Sequence, residues 1–288
     1  MTFIRDAAMA GQFYPGTAAE LDTTVQNFLD AADAGQGPVP KAIIAPHAGY
    51  IYSGAIAASA YAQLIPMASV IKRVVLLGPC HRVAVSGLAL SGAEAFRTPL
   101  GDIPIDQAAA EEILKLPQVE IFDATHAQEH SLEVHLPFLQ VVLDEFSLVP
   151  LVVGEAPPGD VAGVIEALWG GAETVIVISS DLSHYLDYDQ ARAMDNDTCK
   201  AIEGLNPSAI SSHGACGRYS VGGLLQVAKQ RGMTVTTLDL RNSGDTAGPK
   251  DRVVGYGSWM FQEAPGVAPE ENNNGDSRDG DKNQEAQE

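Results

Sequence analysis

The segment Lys41–Gly54, KAIIAPHAGYIYSG, sets a pattern that recurs along the chain. Its first residues are a short apolar run that ends at a proline, so we predict a buried strand that stops just before His47. Gly49 and Gly54 favour tight turns, and a helix is predicted over Ala55–Leu64. In open α/β sheets, ligands bind at the carboxyl ends of strands, where side chains face a crevice. His47 is therefore a candidate ligand.

Two further segments repeat this pattern. Lys72–His81, KRVVLLGPCH, has four apolar residues and then a histidine, and Glu173–His184, ETVIVISSDLSH, has a β-branched run followed by Asp181 and another histidine. One histidine after a strand is usually a loop or core residue, but three on neighbouring strands would converge on one crevice. Because imidazoles are the commonest side-chain ligands of transition metals, we expect a metal centre at this edge of the sheet.

Strand-like and helix-like segments alternate along the chain, which is typical of the α/β class. We predict a single domain over residues 1–263, built on a mixed, mostly parallel sheet flanked by helices. From residue 270 onward the chain has no aromatic or large aliphatic residue. Such a stretch buries too little apolar area to offset the entropy of ordering, so we predict a disordered acidic tail over residues 264–288.

The composition excludes several classes of function. The chain has 37 acidic and 17 basic residues and a formal net charge of -20, which disfavours binding to nucleic acid or anionic membranes. Its three cysteines are too few for a disulfide framework and suit a reducing cytoplasm. We expect no signal peptide, because the first residues lack a long apolar core, and no membrane span, because the sequence has no apolar run of sufficient length. We therefore expect a cytoplasmic protein.

The segment His126–Phe138, HAQEHSLEVHLPF, is the densest polar stretch and holds three of the seven histidines. Helical spacing would place His126 over His130 and Glu129 over Glu133. A solvated helix face explains these residues as well as a functional site does, so both interpretations stay open.

Cys216 lies in HGACGRYSVGG, in a predicted tight turn before a helix whose N-terminus could lower the thiol pKa. Two histidines, a third anionic ligand and open positions form the arrangement of non-haem Fe(II) enzymes, and a thiolate as third ligand favours softer metals. A histidine that is not a ligand can carry protons near neutral pH. The chain lacks the GxSxG, GxxxxGK and HExxH motifs of other enzyme classes.

Seven ordered motifs resemble the Memo family, also known as AmmeMemoRadiSam system protein B: AAMAGQFYP, IIAPHAGYIYSG, LLGPCH, EHSLEVHLPFL, ISSDLSHY, CGRYSVGGLL and NSGDTAGPKDRVVGYGS. The resemblance covers roughly Arg5 to Phe261. It implies the α/β fold of class III extradiol ring-cleaving dioxygenases, which bind non-haem iron.

The resemblance also implies roles for particular residues. His47 in PHAGY, His81 in GPCH and His184 in SSDLSH match three family histidines, and Cys216 in ACGR matches the family's cysteine. In the family these four line a pocket similar to the dioxygenase iron site, and we expect His47, His81 and Cys216 to be the metal ligands. The cysteine stands where the dioxygenases have a carboxylate. This difference leaves binding of Fe²⁺ or copper expected and ring cleavage in doubt.

The expected function is metal-dependent redox or oxygenase-type chemistry on an unknown small molecule, with His184 as acid or base. Asp181 and Glu129 are expected to assist catalysis as acceptors for the imidazoles or as substitute ligands. The alternative is a non-catalytic binding or adaptor protein, whose vestigial site captures a peptide or a metal. A metal-assisted hydrolase with Glu129 as base is a weaker third interpretation. The family's system name implies a functional link to AMMECR1-like and radical SAM proteins.

Overall fold

The computed structural model describes residues 3–35 and 39–263. This part of the chain forms twelve strands: β1 (Ile4–Arg5), β2 (Ala42–Ala45), β3 (Arg73–Pro79), β4 (Leu88–Leu90), β5 (Ala95–Thr98), β6 (Gly101–Pro104), β7 (Val119–Ile121), β8 (Ser147–Val153), β9 (Thr174–Ser179), β10 (His184–Leu186), β11 (Thr234–Asn242) and β12 (Val253–Gln262). The tail predicted over residues 264–288 lies outside the described residues.

The same ranges contain eight α-helices: α1 (Ala18–Ala31), α2 (Tyr50–Tyr61), α3 (Gln107–Ile113), α4 (Asp123–Ala127), α5 (Leu136–Val142), α6 (Pro158–Ala167), α7 (Tyr188–Glu203) and α8 (Arg218–Gln230). Short 3-10 helices lie at Ala62–Met67, Glu133–His135, Pro207–Ala209 and Ser243–Asp245. None of the helices in the described ranges is long and apolar enough to cross a membrane.

Four parallel strands form the centre of the main sheet. The strand order is β10-β12-β2-β9-β3-β8-β4-β7, with β11 paired to β12. Strands β2, β9, β3 and β8 pair in parallel, whereas β12 runs antiparallel to β2, and β4 runs antiparallel to β8. A separate sheet contains β1, β5 and β6. The predicted single α/β domain with a mixed sheet flanked by helices is confirmed, and parallel pairing in the main sheet is found among β2, β9, β3 and β8 and between β4 and β7.

Both faces of the central strands are covered, which explains why these strands are apolar throughout. Side chains alternate between two clusters: Ile44 packs with residues of α3, α6 and α8, and Ile43 packs with residues of α1, α2 and α5. Because β2, β9 and β3 are parallel neighbours, the residues that follow them lie at one edge of the sheet.

Helix α2 begins earlier than predicted. It starts at Tyr50, directly after Gly49, so Gly54 lies inside the helix and does not form a turn. A Cβ at Gly54 would lie 2.5 Å from the Phe28 ring. The glycine therefore allows α1 and α2 to pack closely, a role that its position in the sequence did not reveal.

The polar segment His126–Phe138 is not one helix, so the predicted helical stacking of His126 over His130 and of Glu129 over Glu133 is wrong. Helix α4 ends at Ala127, and helical structure resumes only at Glu133. Glu129 Oε1 accepts the backbone N–H groups of His130 and Ser131, each at 3.0 Å. These two amides therefore bond to a side chain and do not continue the helix. The solvated-face interpretation also fails, because Glu129 is 2% exposed and Glu133 is 0% exposed.

Candidate metal centre

Three predicted ligands converge at the carboxyl edge of the sheet. His47 follows β2, His81 follows β3, and Cys216 lies in the turn before α8. One ligand atom from each lies within 4.8 Å of the other two, and Cys216 Sγ is 3.4 Å from His47 Nε2. Nitrogen and sulfur ligands bind metals at about 2.0 to 2.3 Å, so one cation could contact all three.

The hydrogen bonds of His47 fix its tautomer. Ser179 Oγ donates its only proton to the carbonyl of Ser131 at 2.6 Å, so His47 Nδ1 must donate to Ser179 Oγ, also at 2.6 Å. The other ring nitrogen, Nε2, then carries a lone pair and faces Cys216. Burial, with the neighbouring imidazoles of His81 and His130, lowers the pKa of His47 well below its ordinary value. The ring is therefore neutral, as a metal ligand must be.

Glu129 fixes the tautomer of His81. Its Oε1 lies 2.8 Å from His81 Nδ1, and its Oε2 accepts the His81 backbone N–H at 2.6 Å. A carboxylate can only accept, so His81 Nδ1 donates and Nε2 is left for a metal. Burial acts to raise the pKa of Glu129, but the nearby His130 imidazole and the hydrogen bonds from His81 outweigh it and hold that pKa far below its usual range.

Asp181 joins the loop after β9 to Cys216. The Cys216 N–H donates to the Asp181 carbonyl at 3.2 Å, and the Asp181 N–H donates to Cys216 Sγ at 3.3 Å. The Asp181 carboxylate accepts the His47 backbone N–H at 2.8 Å, and its second oxygen lies 3.9 Å from His47 Nε2. A Cβ at Gly217 would lie 2.5 Å from the carbonyl of Ser179, so only glycine allows this loop to pack so closely.

The thiol of Cys216 does not have the lowered pKa that we predicted. Burial and the Asp181 carboxylate raise the Cys216 pKa, and the lowering effect of the Gly217 backbone N–H is smaller. The helix N-terminus does act in the predicted direction, but it is outweighed. Burial also raises the pKa of Asp181, so this carboxylate holds a proton more readily than an exposed aspartate.

His184 lies apart from the three clustered ligands. It is exposed on β10, and its Nδ1 donates to the Leu182 carbonyl at 2.8 Å, which leaves Nε2 free. It lines a groove of about 400 Å³ together with Cys216. The structure therefore brings His47, His81 and Cys216 into one group and places His184 on the wall of the adjoining groove.

The Memo-like protein family model matches residues 5–260 of this chain. The chain belongs to the Memo-like family. This Memo-like protein is 36% identical over 270 residues to a MEMO1 family protein of Aquifex aeolicus, covering 90% of this chain and 99% of that relative. It is 33% identical over 285 residues to Protein MEMO1 of Danio rerio, covering 88% of this chain and 95% of that relative.

The fold of this Memo-like protein is also similar to a solved structure. A crystal structure of an uncharacterized protein from Escherichia coli superposes with a TM-score of 0.50, covering 77% of this chain and 100% of that one. The two sequences are 12% identical, so the likeness concerns the fold alone.

Sequence reasoning missed two neighbours of the centre in this Memo-like protein. His130 stacks on His81 with ring centroids 4.6 Å apart and lies 5.4 Å from the His47 ring. Ser179 sets the tautomer of His47. The concentration of histidines in 126–138 was a signal for His130, but the predicted helix paired it with His126. His126 instead donates from Nε2 to the Ala89 carbonyl at 3.0 Å, away from the candidate ligands.

Proposed function

We propose that this Memo-like protein is a metal-dependent redox enzyme with oxygenase-type chemistry on a small molecule. His47, His81 and Cys216 would hold Fe²⁺, with copper as the alternative ion. The observation that carries the proposal is the grouping of these three ligand atoms within 4.8 Å, with both imidazoles presenting an unprotonated Nε2.

The donor set fits a redox-active transition metal. Imidazole suits iron and copper, and a thiolate favours soft ions over Mg²⁺ or Ca²⁺. A bound Fe²⁺ or copper ion would supply one-electron chemistry and a position for O₂. Two buried carboxylates support the imidazoles, since Glu129 orients the ring of His81 and Asp181 holds the backbone of His47.

Two groups are suited to move protons. His184 presents Nε2 to the groove beside Cys216, where it can exchange a proton with a molecule bound there. Asp181 has a raised pKa and lies beside His47 Nε2, so it can hold a proton within the centre. Glu129 accepts hydrogen bonds from His81, His130 and Ser131, which supports a positioning role and leaves it poorly placed as a hydrolytic base.

Metal titration tests the proposal. Protein purified without chelator should bind about one Fe²⁺ or copper ion per chain, and His47→Ala, His81→Ala and Cys216→Ser should each abolish stoichiometric binding. His213→Gln is the matched control, because His213 lines the adjoining groove but is exposed and outside the ligand group. Binding that is absent in the wild type, or unchanged in His47→Ala, would contradict the proposal.

The rival function is a non-catalytic binding or adaptor protein. The specific observation in its favour is the second Asp181 oxygen, 3.9 Å from His47 Nε2, because this carboxylate could fill a further coordination position. Nitric oxide, an O₂ mimic, distinguishes the two functions. A catalytic centre should bind NO at Fe²⁺ and give a new electron paramagnetic resonance signal, whereas a centre closed by Asp181 should not.

A further inference from the structure

The groove beside Cys216 differs in charge from the rest of the molecule. Its lining includes Arg218, His184 and His213, and no aspartate or glutamate of the described residues lines it. The chain as a whole carries a formal net charge of -20. We call this cavity of about 400 Å³ the Arg218 groove. Its volume is that of a small-molecule site.

Another surface cavity shows how unusual this lining is. A cavity of about 620 Å³ near β6 is lined by four carboxylates, from Asp22, Asp102, Asp144 and Glu145. That cavity follows the acidic character of the chain, whereas the Arg218 groove opposes it. A groove of positive character on an acidic protein attracts anions that the remaining surface repels.

Arg218 is held in place, and its guanidinium makes one hydrogen bond within the described residues, through Nη2. Its guanidinium carbon lies 4.2 Å from the centroid of the Tyr219 ring, and Nη2 donates to the Tyr219 hydroxyl at 2.7 Å. No carboxylate in residues 3–35 and 39–263 forms an ion pair with it. Other arginines do pair with carboxylates: Arg5, Arg73, Arg97, Arg231 and Arg241. Because a guanidinium has five N–H donors, Arg218 can still form a two-pronged contact with an anion.

Arg218 also lies where it can reach both sides of Cys216. It lines the Arg218 groove and a second cavity of about 540 Å³, and Cys216 lines both. The second cavity does include a carboxylate, the exposed Glu155. Arg218 is the first residue of α8, whose positive end acts in the same direction.

We propose that the Arg218 groove binds a carboxylate-bearing small molecule, with Arg218 holding the carboxylate. One guanidinium matches one carboxylate through two parallel hydrogen bonds, and the groove has no lysine to balance a doubly charged phosphate. Leu186 and Met194 line the same groove, so the uncharged end of the molecule would pack against these apolar side chains.

As a statement of substrate class, this inference rests on the proposed function. The charge preference of the groove stands by itself and can be measured without a metal. Iodoacetate and iodoacetamide are suitable probes, because they alkylate the same sulfur with the same leaving group and differ mainly in charge. The ratio of their rates at Cys216, read by peptide mass spectrometry at one pH, cancels the intrinsic reactivity of the thiol.

We expect iodoacetate to be favoured at Cys216 in the wild type, compared with a small thiol in solution. Arg218→Gln should lower the iodoacetate-to-iodoacetamide ratio by about 10-fold, and Arg218→Lys should lower it less, since the charge remains without the planar fork. Arg252→Gln is the control, because Arg252 also lies over a tyrosine ring but does not line the groove. A ratio unchanged in Arg218→Gln, or changed equally in Arg252→Gln, would overturn the proposal.

A second pair of probes needs no reaction at sulfur. Benzoate should bind the wild type more tightly than benzamide, measured by ligand-observed NMR, and Arg218→Gln should remove the difference. Equal binding of the two to the wild type would overturn the proposal even if Cys216 resisted alkylation. His47→Ala separates the two proposals: it should lose metal binding and keep the preference for benzoate. A protein that binds no metal but keeps this preference refutes the proposed function alone.

Discussion

Glu129 and Glu133 are the same residue type, four positions apart and both buried, yet they serve different parts of the molecule. Glu129 accepts from His81 and fixes a candidate metal ligand. Glu133 accepts from Arg5 and the Tyr14 hydroxyl, which fastens the N-terminal segment to the body. A buried carboxylate is therefore not in itself a sign of catalysis. Its donors decide its role.

The surroundings of Glu129 and Glu133 meet at Arg5. We call Arg5, Tyr14 and Glu133 the N-terminal clasp. Besides pairing with Glu133, Arg5 donates to the backbone carbonyls of His126 and Glu129, at 2.9 Å each from Nη2. The clasp therefore supports the same short segment that carries Glu129. Substitutions at the two glutamates should therefore separate effects on stability from effects on metal binding.

The largest effect on stability is expected from Glu133→Gln. Arg5 is 5% exposed, so the substitution leaves a buried cation without its counter-charge. Breaking a buried pair in this way costs about 3 to 5 kcal/mol of unfolding free energy, measured by urea denaturation. Glu166→Gln is the matched control, since its partner Arg231 is partly exposed, and should cost below about 1 kcal/mol. Equal losses in the two variants would refute the structural role of Glu133.

Glu129→Gln should act mainly on metal binding. Loss of the carboxylate that orients His81 should raise the Kd for Fe²⁺ by about 10-fold to 100-fold. The unfolding free energy should fall by about 1 to 3 kcal/mol, less than in Glu133→Gln, because the change leaves hydrogen bonds unmade without isolating a buried cation. If Glu133→Gln weakens metal binding more than Glu129→Gln does, the division of roles between the two is wrong.

The unfolding free energy should also depend on pH through His126, whose backbone carbonyl accepts from Arg5 of the clasp. Burial lowers the His126 pKa from 6.5 to about 4. Below pH 6.5 the unfolded chain takes up a proton that the folded protein refuses, so stability falls as the pH drops from 6.5 to about 4. The contribution of His126 is up to about 1.4 kcal/mol per pH unit. His126→Gln should reduce the slope of unfolding free energy against pH, and the exposed His213→Gln should leave it unchanged.

The smallest effect is expected from Tyr14→Phe. The Tyr14 hydroxyl donates to Glu133 Oε1 at 2.5 Å, and its removal leaves the Arg5 ion pair intact. The unfolding free energy should fall by about 1 kcal/mol, and the Kd for Fe²⁺ should not change. A loss as large as that of Glu133→Gln would show that the hydroxyl, and not the ion pair, holds the clasp together.

The parts of the fold that sequence predicts well are those set by local pattern. Strands β2, β3 and β9 are predicted correctly because each is an apolar run that ends before a polar loop. The predicted start of α2 is wrong because Gly54 does not form a turn but allows close contact with Phe28 of α1. The pattern of apolar residues within α2 does not indicate that contact.

In the candidate centre, too, local sequence predicts some features, while others depend on contacts between distant residues. His47 and His81 could be predicted from strand ends, and Cys216 from its motif. The tautomer of His47 could not, because it depends on a hydrogen bond from Ser179 to Ser131, which lie 48 positions apart. The split of the 126–138 segment likewise depends on donors that reach Glu129 from the loop after β3.

Ser131 links the loops around the centre through its own hydrogen bonds. Its hydroxyl donates to the Pro79 carbonyl at the end of β3, and its own carbonyl accepts from Ser179 at the end of β9. Zinc fingers, by contrast, unfold when their metal is withdrawn. If protein loaded with the proposed ion is treated with a chelator, its circular dichroism should therefore stay the same, and the ion should bind again without a refolding step.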